Sequence, residues 1–269
     1  MKASSGIGEL ITLKSDDWFN KQKHAGQAVA KCLRMAYECV SKQEDGLTGK
    51  IIEERCLSIL DQAECTPTFK GYKGFPGAVC LSVNKELVHG IPSDRPLNPG
   101  DLVSLDLGAT YHGVIADAAM TAIYGGPAAA KDARHVDMLK CCEEVLHNAI
   151  NQIEIGKHLG VIGRSIYKLS KDNGYDVICD YGGHGIDYDT PHASPFVPNK
   201  SLNEEGVHLC SGMTLAIEPM ITLGGTKTTV LDDHWTVTTE KLGCHFEHTV
   251  FIRDTHVEIM TDWRHLVWI

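Results

Sequence analysis

Four acidic residues interrupt apolar stretches of this sequence: Asp106 in Val-Ser-Leu-Asp-Leu-Gly, Asp117 in Val-Ile-Ala-Asp-Ala-Ala-Met, Glu218 in Leu-Ala-Ile-Glu-Pro-Met and Glu247 in His-Phe-Glu-His-Thr-Val-Phe-Ile. A carboxylate among buried neighbours must be paired or must hold a cation, because an isolated buried charge is too costly to keep. Apart from Arg253, beyond Glu247, no basic residue lies nearby to pair with them. Any one of these acids, taken singly, reads equally well as structural; four together point to metal binding. His184, in Asp180-Tyr181-Gly182-Gly183-His184-Gly185-Ile186, adds an imidazole in a stretch whose glycines either admit a ligand close to the backbone or simply form a loop. Oxygen-rich sites with one imidazole suit moderately hard divalent ions such as Mn, Fe or Co, with Zn as a further choice. The expected arrangement is an open site for two metal ions rather than a closed tetrahedral zinc site. His89, in Val88-His89-Gly90-Ile91-Pro92, and His192, in Thr190-Pro191-His192-Ala193, have contexts worth weighing, but spacing alone promotes neither.

Composition narrows the class of function. At 269 residues, 43% hydrophobic and 22% charged, the chain is long enough to bury a substantial core. A formal charge of -10 without any Lys/Arg-rich run argues against nucleic acid or an anionic membrane as partner and favours a cation. No apolar run reaches the length of a membrane span. The first residues, Met1-Lys2-Ala3-Ser4-Ser5-Gly6, do not read as a signal peptide, so the ten cysteines are expected to be reduced and cytoplasmic, mostly as core packing.

The elements that must carry the acids alternate in type. Apolar spacing predicts helices from about Ser15 to Val40, Thr48 to Gln62, Lys131 to Gln152 and Leu159 to Asp172, the last stopped by Asn173-Gly174. Strand-like stretches cover Ala78 to Val83, Leu102 to Ala109, Met120 to Tyr124, Met213 to Thr222 and Phe246 to Ile252. Gly100-Asp101-Leu102-Val103-Ser104-Leu105-Asp106 is echoed by Gly212-Met213-Thr214-Leu215-Ala216-Ile217-Glu218, each a turn glycine, an alternating strand and an acid six residues on. Period-two alternation sets both acids on the face opposite the larger apolar side chains. Two such halves related by a pseudo-twofold axis would bring the acids to one centre; chance similarity between strands is the alternative.

Taken together these motifs resemble one family, the type I methionine aminopeptidases of the pita-bread metallopeptidase fold. The resemblance rests on Phe75-Pro76 through Cys80, Ser82-Val83-Asn84, Val88-His89-Gly90-Ile91-Pro92, Asp106 and Asp117 eleven residues apart, Gly183-His184-Gly185-Ile186, Ile217-Glu218-Pro219-Met220, Trp235-Thr236-Val237 and Glu247-His248-Thr249. It implies an α+β fold in which two pseudo-twofold halves form a curved, mainly antiparallel sheet with helices on its outer face. A tail over residues 1–10 and a single catalytic domain over 11–269 are expected. The resemblance further implies that Asp106, Asp117, His184, Glu218 and Glu247 are metal ligands for two divalent ions, that Glu218 shuttles the proton, and that His89 and His192 hydrogen-bond substrate and stabilise the tetrahedral intermediate. Tyr72, Phe75, Cys80 and Trp235, with Phe69 close by, would line a methionine pocket, although aromatic residues at such positions are often plain core. The implied reaction is removal of the initiator methionine from nascent polypeptide N-termini with a small second residue. The chain is expected to be a cytoplasmic monomer that touches the ribosome transiently and needs neither nucleic acid nor membrane.

Three departures from the family pattern bear on this. Tyr111-His112-Gly113-Val114-Ile115-Ala116-Asp117 replaces the usual His-Gly-Asp sequence but keeps the interval to Asp117. Ile186-Asp187-Tyr188-Asp189-Thr190-Pro191-His192 replaces a usually basic, aromatic stretch and sets His192 eight residues after His184 where seven is usual, so the loop is expected to be repositioned. The short N-terminal stretch ahead of these motifs carries no cysteine/histidine zinc motif, so direct zinc-finger docking to a ribosome is not expected. The competing readings are a proline-specific aminopeptidase or dipeptidase of the same fold and a non-catalytic binding module.

Overall fold

Capping chemistry sets the start of three of the four helices in the computed structural model, which describes residues 2–4, 10–203 and 205–265. The Ser15 hydroxyl accepts the Trp18 N–H at 3.3 Å and opens α1 (Asp16–Ser41), whose first turn holds Asp16 and Asp17 against the positive end of the helix dipole. Thr48 accepts the Ile51 N–H at 3.3 Å ahead of α2 (Gly49–Gln62), and the Asp132 carboxylate accepts the Arg134 N–H at 2.9 Å ahead of α3 (Ala133–Asn151). The fourth, α4 (Gly160–Asp172), ends at Asn173, and Gly174 follows at φ +82°. The four helices fall within one or two residues of the spans that apolar spacing predicts.

One antiparallel sheet of nine strands carries Asp106, Asp117, His184 and Glu247, with Glu218 one residue past its strand Thr214–Ile217. Its members are β1 (Thr66–Pro67), β2 (Cys80–Val83), β3 (Leu102–Tyr111), β4 (Val114–Ile123), β5 (Gly182–Asp187), β6 (Thr190–Pro198), β7 (Thr214–Ile217), β8 (Glu247–Ile252) and β9 (Val257–Ile259). They run in the order β6-β5-β7-β8-β4-β3-β1, with β2 also on β3 and β9 on β8. Two three-stranded sheets stand beside it: Gly243–His245 with Met220–Thr222 and Asp176–Val177, and Thr228–Val230 with Val237–Thr239 and Glu86–Val88. Helix α1 packs across β3 and β4, while α3 packs against α4, the strands Met220–Thr222 and Gly243–His245 and, more thinly, β4, β7 and β8. The α1 stripe of Ala25, Ala28, Val29, Cys32, Leu33 and Ala36 is fully buried, and its small side chains let the helix settle close to the sheet.

The repeated glycines behave alike: Gly100 and Gly212 both turn the chain at positive φ, +81° and +85°, ahead of β3 and β7. The structure departs from the sequence expectations at three strands. β4 starts at Val114 rather than Met120, because pairing with β3 along all ten positions overrides the weak strand preference of Ala116, Ala118 and Ala119. The stretch Met213 to Thr222 is two strands, since Pro219 offers no N–H to continue the ladder after Glu218. The Gly-rich stretch around His184 is a strand, not a loop. A Cβ on Gly183 would lie 2.2 Å from the Ala216 carbonyl oxygen and one on Gly185 2.1 Å from that of Ser194, so the glycines admit the neighbouring strands rather than a ligand. Most of the expected 1–10 tail lies outside the described residues; Lys2–Ser4 pairs antiparallel with Leu10–Thr12.

Candidate metal centre and cavity

Strand register alone assembles the acids. β3 and β4 form a two-residue hairpin at His112-Gly113, both at positive φ, and the resulting register pairs Asp106 with Ala119 and Asp117 with Gly108. The two aspartates are therefore diagonal neighbours on one face, which is what an eleven-residue interval across such a turn dictates. On the other side of β4, Glu247 of β8 pairs with the same Ala119. His184 pairs with Ala216, two residues before Glu218. All five residues thus share one face of the sheet.

Their donor atoms converge. Ligand-capable atoms of Asp106, Asp117 and Glu247 lie within 4.8 Å of one another, and so do those of His184, Glu218 and Glu247; Glu247 belongs to both groups. His184 Nε2 is 3.7 Å from Glu218 Oε1 and 3.9 Å from Glu247 Oε1. The other ring nitrogen, Nδ1, faces the Gly185 carbonyl at 3.1 Å; as a donor there it leaves the Nε2 lone pair free toward the acids. Burial first, and the mutual repulsion of the carboxylates second, raise the whole set: Asp117 to about 7, and Asp106 and Glu247 well above the usual range. Burial likewise lifts Glu218 to about 7, with His184 pulling the other way. Asp106 Oδ1, Asp117 Oδ1 and Glu247 Oε1 are buried without a hydrogen-bond partner. Orphaned oxygens aimed into a shared space, with no Lys or Arg in the two donor groups, fit a divalent cation. Behind them Thr249 pins the strand: its hydroxyl donates to the Asp117 carbonyl at 2.7 Å and accepts the Asp117 N–H at 2.8 Å.

A cavity of about 300 Å³ opens onto this cluster, and every residue expected at the site lines it: Tyr72, Phe75, Cys80, His89, Asp106, Asp117, His184, His192, Glu218, Trp235 and Glu247. Phe69, Phe75 and Cys80 form a buried apolar patch with Trp235 packed against it, the Phe75 and Trp235 rings meeting edge to face at 5.1 Å. Asp233 fixes the Trp235 backbone, accepting the N–H groups of Trp235 and Thr236 at 2.8 Å each. His89 stands at φ +59°, a strained setting for a non-glycine residue, next to Gly90, where a Cβ would collide with the Leu81 carbonyl. Burial, and His245 nearby, lower its pKa to about 4. His192 projects from β6, its ring 4.5 Å from that of His184 and 5.2 Å from that of Tyr72. A ring nitrogen of His192 comes within 4.8 Å of donor atoms of Asp117 and His184.

The comparisons agree with the geometry. A model of metallopeptidase family M24 matches residues 20–254. The chain belongs to that family. Its relatives include a methionine aminopeptidase of Mycoplasma capricolum, 35% identical over 94% of this chain and 98% of that protein, and methionine aminopeptidase 1 of Mycobacterium tuberculosis, 38% identical over 88% and 90%. The crystal structure of a methionine aminopeptidase from Thermotoga maritima superposes with a TM-score of 0.88 at 38% identity, covering 93% of this chain and 99% of that one. A prolidase from Pyrococcus furiosus, 20% identical, aligns over 93% of this chain and 65% of its own with a TM-score of 0.72 and shares the fold. The M24 chain accordingly has the expected pita-bread architecture, a curled, mainly antiparallel sheet backed by four helices.

Sequence reasoning missed His245. It is 1% exposed, and its Nε2 lies 3.3 Å from Glu218 Oε2. A signal was available, since it precedes Glu247 by two residues, the spacing that turns two side chains of an extended chain to the same side.

Proposed function

We propose that this M24 chain is a methionine aminopeptidase that removes the N-terminal methionine of newly made polypeptides. The observation that carries this is the pair of donor groups sharing Glu247, set directly beside an aromatic and thiol-lined cavity. Asp106, Asp117, His184, Glu218 and Glu247 would hold two divalent ions, Co, Mn, Fe or Zn. Such ions supply an activated water and polarise the scissile carbonyl. Glu218, a carboxylate set beside the place where that water would lie, acts as the proton shuttle. His89 and His192, which line the same cavity as the carboxylates, hydrogen-bond the substrate backbone and the developing oxyanion. The methionine side chain enters among Phe69, Tyr72, Phe75, Cys80 and Trp235, where a thioether gains dispersion and sulfur–aromatic contact.

All ten cysteines are free, and no helix among the described residues is long and apolar enough to cross a membrane; both fit a reducing, cytoplasmic setting with nascent chains as substrates. The deciding experiment is methionine release from a Met-Ala-Ser peptide with and without divalent metal, beside a peptide carrying proline second after a residue other than methionine, and repeated with Glu218→Gln. Metal-dependent methionine release that collapses in the variant is the expected result. Preference for the proline peptide would move the chain to the prolidase-like enzymes, and inactivity with every metal would leave a binding module.

A further inference from the structure

Among the described residues, His245 is buried beside the carboxylate cluster yet has no part in the chemistry proposed above. Both of its ring nitrogens lack a hydrogen-bond partner although the residue is 1% exposed, an uncommon condition for a buried imidazole. The two oxygens of Glu218 point to different histidines: Oε1 lies 3.7 Å from His184 Nε2, on the side of Glu247, and Oε2 lies 3.3 Å from His245 Nε2. His245 is also held firmly. It pairs in register with Met220, two residues beyond Glu218, and its backbone N–H donates to Thr121 Oγ1 at 3.0 Å while the Thr121 hydroxyl donates to its carbonyl at 2.8 Å. Thr121 lies on β4, the strand of Asp117.

We propose that His245 is a positioning residue for Glu218: its Nε2–H holds Oε2, so that Glu218 meets a cation through Oε1 alone. A neutral imidazole carries a single N–H, and giving it to Oε2 leaves that oxygen ordered and within reach of the proton that Glu218 must handle. At 3.3 Å the two atoms are already within hydrogen-bond distance, and a small turn of the carboxylate would bring Oε2 into line with the ring N–H. The proposal rests on the metal-centre reading above, and its test separates the two.

The full-length chain, stripped of metal, is titrated with Co(II) by calorimetry and followed by visible absorption, as wild type, His245→Leu and His245→Gln, with thermal melts to establish that all three fold. His245→Leu is expected to weaken Co(II) binding by about 10- to 100-fold, to change the absorption band as Glu218 turns to offer both oxygens, and to lower kcat with KM unchanged. His245→Gln, whose amide N–H reaches the same oxygen, is expected to restore both affinity and spectrum. A leucine variant with wild-type affinity and spectrum would overturn the proposal. A glutamine variant as damaged as the leucine one would overturn it too, because that would make His245 a metal ligand. Failure of the wild-type chain to bind Co(II) at all would defeat the metal-centre reading, and this one with it.

Discussion

Asp106 and Glu247 stand on either side of Ala119, each paired directly with it across a strand boundary. Backbones two strands apart are separated by about 10 Å, so the two carboxylates meet only by leaning over the alanine methyl group. Donor atoms of the pair nevertheless come within 4.8 Å of one another. The smallness of Ala119 is thus part of the site although it offers no ligand. Ala119→Leu is expected to cost about 1–3 kcal/mol of stability through overpacking and to weaken Mn(II) binding by at least about 10- to 100-fold. Calorimetric titration beside a thermal melt checks this, and unchanged affinity in a folded variant would refute it.

The acids make the benefit of metal depend on pH. Asp117 and Glu218 titrate near 7 in the folded chain, and their unfolded values are those of ordinary carboxylates. A folded-state pKa raised above the unfolded one means that the native state binds more protons between about 4 and 7, so these groups lower stability as pH rises through that window. A cation reverses this by replacing the protons. In EDTA, Glu218→Gln should therefore be more stable than wild type at pH 8, by on the order of 1–3 kcal/mol, and nearly equal to it at pH 5. The rise in Tm on adding saturating Mn(II) to wild type should grow from pH 5 to pH 7.5. A metal-induced shift that is larger at pH 5 would contradict the assignment of these carboxylates as ligands.

The sequence was most legible where the argument needed only period and register. An acid after an alternating strand suffices to put Asp106 and Glu218 each on the face opposite the larger apolar side chains, whereas the hairpin that brings Asp117 beside Asp106 shows only in the strand pairing. The helix starts near Ser15 and Thr48 follow from apolar spacing, and the structure puts a capping hydroxyl at each. What stayed hidden depends on distant partners. The glycines around His184 look like a loop until the carbonyls of Ala216 and Ser194 are seen pressing on them. The alanine run that begins β4 reads as weak until β3 lies beside it. The family resemblance supplied the roles of His89 and His192 and the pocket aromatics, because neither spacing nor composition distinguishes those residues from ordinary core or surface.

Trp235 owes its place to Asp233, which ties down the turn with two backbone hydrogen bonds and a third from the Thr236 hydroxyl at 2.6 Å. Replacing Trp235 by Ala removes the edge that closes on Phe75 and should raise KM for methionyl peptides about 10- to 100-fold with kcat little changed, the pattern of lost uniform binding. Asp233→Ala should move KM in the same direction by less. Steady-state kinetics on Met-Ala-Ser decide the matter; a fall confined to kcat would place Trp235 outside the methionine pocket.

The altered stretch before His192 has its own anchor. Lys14 Nζ meets Asp187 Oδ1 at 2.7 Å, the lysine side chain being 3% exposed and the aspartate 33%. Lys14 also lies over the Trp18 ring at 4.7 Å, and Tyr188 packs its edge on that ring at 4.3 Å. Asp187 is the last residue of β5 and pairs with Thr190 of β6, so the ion pair fixes the hairpin that carries His184 on one strand and His192 on the other. Register irregularities between Thr190 and Phe196 leave β6 less tightly held by its ladder, which makes the anchor matter more for His192 than for His184. Lys14→Met keeps the apolar stem and leaves Asp187 partly hydrated, so the chain should fold. A displacement of about 1 Å at a substrate-positioning group costs up to about 100-fold in rate, and kcat is expected to fall by about 10- to 100-fold while Co(II) affinity stays at the wild-type value. Because Lys14 and Asp187 act as a unit, the double variant with Asp187→Asn should be no slower than the worse single one. Additive losses, or a parallel loss of metal affinity, would show that the pair supports the fold at large rather than the placing of His192.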